Sequence, residues 1–418
     1  MKCCGCAACA DICPKKCIEM APDAYGFAYP EINEEQCINC GACKKVCPIY
    51  FEIEENQDNE ISFACVSKND DVLFNSSSGG AFTSIYKYFI SQGYIVYGVK
   101  WGDNFQVLYD CSKTDEGCEQ FRKSKYILSN TNHCFTTIEM QLKNQEKVLF
   151  TGTPCHCAAL INYLNVRKVS RDNLFTVDII CHGAPSQKIF DDYIAESNIS
   201  YKGRKIYTFR FKNKIPYCGF INSRTAEITY DDGSTEIVDA KTDAFLKGYY
   251  NRIFYRDSCL ECRFANASRI TDITIGDAWH IEELYPEWDS QGGISLVIVN
   301  TDRAKEICSD VFIGMNIKDV ALQWAIEHNS NLHEPTKIHP KRELFFETYS
   351  NEGYYEAVSR AMKPSVSRII KNGVKRLIKM GGVTAKNNLK CKYSKCPYYH
   401  YGVCLIRKVY LQLKKFSF

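Results

Sequence analysis

Residues 357–418 contain no Asp or Glu, although 15 of them are Lys or Arg. The formal net charge of +3 therefore hides a polarised chain, because residues 1–356 carry 37 basic against 49 acidic side chains. Long apolar runs are also missing: none approaches the roughly 18 residues needed to span a bilayer as a helix, which excludes an integral helical membrane protein. The opening MKCCGCAACADICP lacks an apolar signal core and a small-residue cleavage site, so nothing in it directs the chain to an oxidising compartment. Cytoplasmic residence is the expectation. Cysteine, by contrast, is abundant, with 24 in 418 residues. At that density it signals either the disulfide framework of a small secreted domain or metal–thiolate sites in a reducing compartment. The missing export signal points to the second.

The cysteines of the first fifty residues are ordered. Cys3, Cys6, Cys9 and Cys13-Pro14 have the spacing C-x2-C-x2-C-x3-C-P, and Cys37, Cys40, Cys43 and Cys47-Pro48 repeat it. Three thiolates two residues apart wrap one corner of an iron–sulfur cube, and the fourth, beyond a short turn, reaches the other cluster. Cluster one is therefore assigned to Cys3, Cys6, Cys9 and Cys47, and cluster two to Cys37, Cys40, Cys43 and Cys13. A pair of zinc knuckles, the competing reading, prefers two well-separated C-x2-C pairs. Cys4 and Cys17 fall outside the spacing and read as bystanders. Over about fifty residues this head resembles bacterial two-cluster ferredoxins.

The fold class expected is α+β, in three parts: a ferredoxin-like head over residues 1–55, an α/β flavin-binding domain with an added β-hairpin over 56–345, and a basic, mainly helical extension over 346–418. An acidic stretch, Phe51–Glu60, reads as a solvated linker between head and body. In the body, helical and extended patterns alternate: Gly80–Ser91 helical, Tyr94–Lys100 and Lys147–Thr151 extended, Cys155–Leu164 helical, Leu174–Ile180 extended, Ser186–Glu196 helical. That alternation predicts at least some parallel strands. Thr225–Ala240, with Asp231-Asp232-Gly233-Ser234 at its centre, reads as a hairpin.

Four constellations in the body carry chemistry. Ser76-Ser77-Ser78-Gly79-Gly80 precedes a predicted helix, where backbone N–H groups and hydroxyls can hold phosphate or simply form a flexible turn. Cys155 and Cys181 each follow an apolar strand, and strand carboxyl ends are where ligands collect in an open α/β sheet. Cys259 and Cys262 form a third C-x2-C, and together the four could hold a third 4Fe-4S cluster or be buried apolar residues. Finally, Thr271–Trp279 reads as a strand ending in Gly-Asp-Ala-Trp.

These elements, SSSGGAF at 76–82, SKY at 124–126, TGTPCHCAAL at 151–160, DIICHGAPS at 178–186 and CLECRFANASRITDITIGDAW at 259–279, resemble in content and order the beta subunit family of coenzyme F-420 hydrogenase and dehydrogenase. The resemblance covers about Ser76 to Thr301. It implies FAD, a third cluster held by Cys155, Cys181, Cys259 and Cys262, and hydride exchange with an organic acceptor. It also implies FAD contacts from Ser77, Ser78, Gly79 and Gly80 at the phosphates, from Ser124, Lys125 and Tyr126 near the flavin, and from Thr153 and Asp277. The fused head and the CHGAPS segment place the chain nearer the family's bacterial branch, so coenzyme F-420 itself is one candidate acceptor among others, and relatives with similar motifs reduce tetrapyrroles. No catalytic residue is singled out.

The function expected is a flavin- and iron–sulfur-dependent oxidoreductase partnered by ferredoxin or another redox protein and by an organic hydride acceptor. The alternatives are a non-catalytic electron-transfer subunit and a metal-stabilised scaffold. Nucleic acid is not an expected partner. In the tail, Val366, Ile369, Ile370, Val374, Leu377 and Ile378 fall on one helical face and basic residues on the other, which suits a membrane surface or docking on the acidic body. Cys391, Cys396 and Cys404 form a weak metal-binding pattern.

Overall fold

A computed structural model describes residues 2–50, 61–200, 204–215, 219–220, 224–288 and 293–363. The acidic linker, the basic helix expected over 366–381 and Cys391, Cys396 and Cys404 lie outside the described residues.

The head is built twice from one plan. Each cysteine motif turns through a left-handed residue, Ala7 or Gly41, into a five-residue helix, Ala8–Ile12 or Ala42–Val46, and leaves it through an extended Cys13 or Cys47. The third cysteine of each motif therefore sits on a helix and the fourth at the extended residue that caps it. An antiparallel hairpin, Ile18–Pro22 with Ala28–Ile32, separates the two halves.

An eight-stranded mixed sheet organises the body. Its order is Met315–Asp319, Ile61–Ser67, Ser295–Val299, Ile273–Asp277, Leu174–Ile179, Val148–Gly152, Ile95–Trp101 and Val107–Ser112. The four strands from Ile273–Asp277 to Ile95–Trp101 run parallel, and the pairs outside them are antiparallel. Strand parity sorts the side chains between two cores. Ile95, Tyr97, Val148, Phe150 and Leu174 pack on one face with the helices Cys134–Lys143 and Pro154–Arg167, whereas Val96, Leu149, Phe175 and Val177 pack on the other with Ala81–Ser91. Burial on both faces is why these strands read as continuous apolar runs.

The first core also contains Cys4, Cys6, Ala8, Ile12, Val46 and Ile49, so the head packs against the body's own helix layer. A third, aromatic-rich core joins the three-stranded sheet Thr235–Asp239, Thr225–Tyr230 and Ile206–Phe211 to the helices Gln187–Ser200, Arg342–Glu352 and Tyr354–Met362. The hairpin expected over Thr225–Ala240 is part of that sheet, with Thr229 opposite Thr235. No described helix is long and apolar enough to cross a membrane.

Candidate redox site

The parallel strands deliver their carboxyl ends to one edge of the sheet, and the body cysteines sit there. Thr153 and Pro154 open the helix Pro154–Arg167 directly after the strand Val148–Gly152, placing Cys155 in the first helical turn. Cys181 follows the strand Leu174–Ile179, and Cys259 lies on the short helix Asp257–Leu260. Cys155, Cys181, Cys259 and Cys262 line one cavity of about 70 Å³. Its close fit depends on Gly183, which has φ +110° and where a β-carbon would stand 2.6 Å from the Tyr255 ring and 2.9 Å from Cys259 Cβ. Only glycine lets the Cys-His-Gly turn come so near the C-x2-C segment.

The electrostatics suit a cation. Burial, with help from Cys155 and Cys262, pushes Cys259 up to about 12. Burial, again with Cys155, pushes Cys262 up to about 11, and burial with Cys259 and Cys155 raises Cys181 as well. Several adjacent buried thiols cannot ionise together without positive charge among them, and metal coordination supplies that charge. Among the described residues no three His, Cys, Asp or Glu side chains converge tightly enough for a single metal ion.

Two residues behave differently from their sequence reading. Cys4, expected to be a bystander, lines this same cavity and packs in the same core as Cys155. Thr153, expected to touch flavin, has its hydroxyl oxygen 3.3 Å from Cys155 Sγ. In the head, burial pushes Cys9 up to about 12, with Cys3 and Cys47 adding to the push. Cys17 lies 3.5 Å from Cys13 Sγ, and that thiol, with burial and Cys37, raises it to about 11.

The serine–glycine loop forms a second centre. Ser77 Oγ accepts from the backbone N–H of Ser124 at 2.8 Å and lies 3.1 Å from its hydroxyl, which joins the SSSGG and SKY segments. Ser78 Oγ is buried without a hydrogen-bond partner. Lys214 Nζ donates to the carbonyls of Ser78 and Leu73, and Lys212 forms an ion pair with Asp277 while lying 5.5 Å from the Trp279 ring centroid. Burial, reinforced by Lys212 and Lys123, pushes Lys214 down to about 7, while Asp277 opposes the shift. Burial, with Arg210 and Arg122, pushes Lys123 down to about 8. Tyr126 stacks on Tyr249 with centroids 4.4 Å apart.

Two expected phosphate or flavin contacts have other partners here. Gly79 gives its N–H to Ser295 Oγ at 2.9 Å, and a β-carbon on it would stand 2.1 Å from the Cys65 carbonyl oxygen, so backbone packing against neighbouring strands explains this glycine. Lys125 Nζ donates to the carbonyls of Gln120 and Arg122 at 2.9 and 2.8 Å, tying its own loop. Gly80, at φ +100°, caps the helix that follows. Lys212, Lys214 and Lys123 carry no spacing pattern that links them to the serine loop, and sequence reading missed them.

Comparison with known proteins gives three findings. Residues 2–50 match the family of 4Fe-4S dicluster domains, and residues 145–318 match the C-terminal family of coenzyme F420 hydrogenase/dehydrogenase beta subunits. No curated protein matches the chain. Among solved structures, a chain of the F420-reducing NiFe hydrogenase complex from Methanosarcina barkeri, studied with xenon, is 18% identical, with a TM-score of 0.44 over 80% of this chain and 96% of that one. The protein is an iron–sulfur redox protein in which a head matching the 4Fe-4S dicluster domains at residues 2–50 precedes a segment, residues 145–318, that matches the C-terminal part of coenzyme F420 hydrogenase/dehydrogenase beta subunits.

Proposed function

We propose that the chain is an iron–sulfur flavoprotein oxidoreductase in which Cys155, Cys181, Cys259 and Cys262 hold a third 4Fe-4S cluster and the serine loop region holds FAD. The observation that carries this reading is the convergence of the four cysteines, from three separate stretches of chain, on one cavity at the carboxyl edge of the parallel strands. Support for a dinucleotide comes from the second centre. A buried serine hydroxyl without a partner and three lysines, two of them held near neutrality, suit a pyrophosphate. Ser77, Ser78, Ser124, Lys123, Lys212 and Lys214 would face the phosphates, and Tyr126 and Trp279 offer aromatic surface to the ring system. The flavin supplies conversion between single electrons and hydride.

The chain's own residues hold and order these groups. Asp277 neutralises Lys212 beside Trp279, and Lys214 pins the carbonyl of Ser78. The substrate is an organic hydride acceptor or donor, with the deazaflavin coenzyme F420 named by the family and tetrapyrroles a further class to assay. Domain limits of 1–55, 56–345 and 346–418 go with this assignment, except that the helices Arg342–Glu352 and Tyr354–Met362 pack in the body's aromatic core and extend the body past residue 345.

The test is composition of the anaerobically purified protein. About twelve irons and one FAD per chain are expected, and Cys259→Ser with Cys262→Ser should remove about four irons while the head's signals in electron paramagnetic resonance persist. Iron near eight in both proteins would remove the third cluster. Cluster absorbance without a flavin band would leave an electron-transfer subunit.

A further inference from the structure

The two cysteine systems are joined at one residue. Cys4 lies between Cys3 and Cys6, both assigned to cluster one, and is 8% exposed. It packs in the same core as Cys6 and Cys155, and it lines the cavity of Cys155, Cys181, Cys259 and Cys262. Four thiolates complete the ligand set of a 4Fe-4S cluster, so the fifth thiol in this cavity is surplus to coordination.

The junction is bolted on both sides. Arg256, almost wholly buried and three residues before Cys259, donates from Nε to the Cys3 carbonyl and from Nη2 to the Ala28 carbonyl, each at 2.8 Å. Gly5, at φ +76°, leaves room for that guanidinium, since a β-carbon there would stand 3.0 Å from Nη1. Arg263, directly after Cys262, donates to the carbonyls of Pro48 and Ile49, the residues following Cys47. Both chain segments that bear cluster one ligands are thus fastened to the residues flanking Cys259 and Cys262. The second motif has the opposite setting: Cys40 is exposed, and its neighbour Ile38 is 56% exposed.

We propose that cluster one is the head's outlet to the third cluster and that Cys4 bridges them without ligating either. This rests on the three-cluster reading above. In the step, one electron leaves reduced cluster one, which is thereby oxidised, and reduces the third cluster; no bond breaks and no proton moves. Cluster two, exposed at Cys40, accepts the replacement electron from a one-electron iron–sulfur carrier protein and passes it to cluster one. With electron flow reversed, the same order runs backwards.

The experiment uses full-length anaerobic Cys4→Ala and Cys4→Ser proteins, reduced by a bacterial two-cluster ferredoxin, a donor too large to enter the cavity. Iron per chain is measured, and freeze-quenched paramagnetic resonance follows reduction of each cluster. The expected result is about twelve irons in all three proteins, unchanged reduction of the head, and reduction of the third cluster slowed about tenfold or more, because small displacements along a transfer path are felt strongly. Twelve irons with unchanged reduction of the third cluster would overturn the bridge and leave the three-cluster reading standing. Loss of about four irons in the variants alone would make Cys4 a ligand, which also overturns it. Iron near eight in the unaltered protein would defeat the three-cluster reading and the bridge together. The serine variant, close to cysteine in volume, guards against a packing defect in the alanine variant.

Discussion

The head and the body solve the same problem, gathering thiols, by opposite means. Each head motif spans eleven residues, Cys3–Cys13 or Cys37–Cys47, and a left-handed turn into a one-turn helix orients three thiols locally. The body's cavity draws Cys155, Cys181, and the pair Cys259 and Cys262 from two strand ends and a short helix. A locally built site needs little beyond its own backbone. A site built from distant segments exists only while the sheet and its close packing persist. The body's site should therefore be the more fragile.

The sharpest way to break the contrast is at Arg256, which belongs to the body and holds the head. Arg256→Ala removes two charged hydrogen bonds to carbonyls and the stacking of the guanidinium 4.3 Å from the Tyr29 ring centroid. A loss of about 3 to 5 kcal/mol of stability is expected from those contacts. Denaturant titration read by tyrosine fluorescence measures it, and a midpoint unchanged from the parent would show that the head does not depend on this anchor.

Next come matched glycines. Gly183→Val forces a side chain into φ +110° and into contact with Tyr255 and Cys259, at a cost of about 2 to 4 kcal/mol. It should lower the iron content by the body's share while the head keeps its own. Gly41, at φ +71° in the head, has nothing within 4 Å of a would-be β-carbon. Gly41→Ala should therefore cost only about 1 kcal/mol and retain the iron. Equal losses at the two glycines would erase the distinction drawn here.

A smaller effect follows from the lysines. Lys214 and Lys123 are held down near 7 and 8 by burial and neighbouring cations, and a bound pyrophosphate favours their protonated forms. Their pKa values must then be higher with the dinucleotide bound than without it, so binding takes up protons. Affinity for FAD is greatest below the lower of these values and falls as pH rises through both, by about tenfold for each 1.4 kcal/mol of lost interaction. Equilibrium dialysis with FAD across that range measures it, and pH-independent binding would detach the lysines from the phosphates.

The smallest effect is expected at Lys2, whose ammonium lies 3.2 Å from Glu261 and 3.6 Å from Asp257. All three side chains are about half exposed, so Lys2→Ala should cost less than about 1 kcal/mol and should cost less still in high salt. A larger loss would mean that the head is fastened to the body by its surface as well as by Arg256.

The doubled cysteine motif was legible as sequence because its chemistry is written in local spacing, and so were the alternating strands and helices, because burial on both faces leaves apolar runs. The body's four cysteines could be grouped from the sequence only as one of two readings, a cluster site or buried apolar residues. No local rule joins Cys155 to Cys262; parallel strands ending at one edge do. Gly79 reads as a phosphate-loop glycine until the backbone of the strand Ile61–Ser67 is seen against it. Lys214 lies on a different sheet and meets the serine loop only through packing. Cys4 illustrates the division most clearly. By itself the sequence determined that Cys4 lies outside the ligand spacing, since that depends on neighbours along the chain. Only the tertiary structure decided that Cys4 joins the lining of the body's cysteine cavity, because that position depends on how a buried arginine and one helix layer hold the head against the sheet.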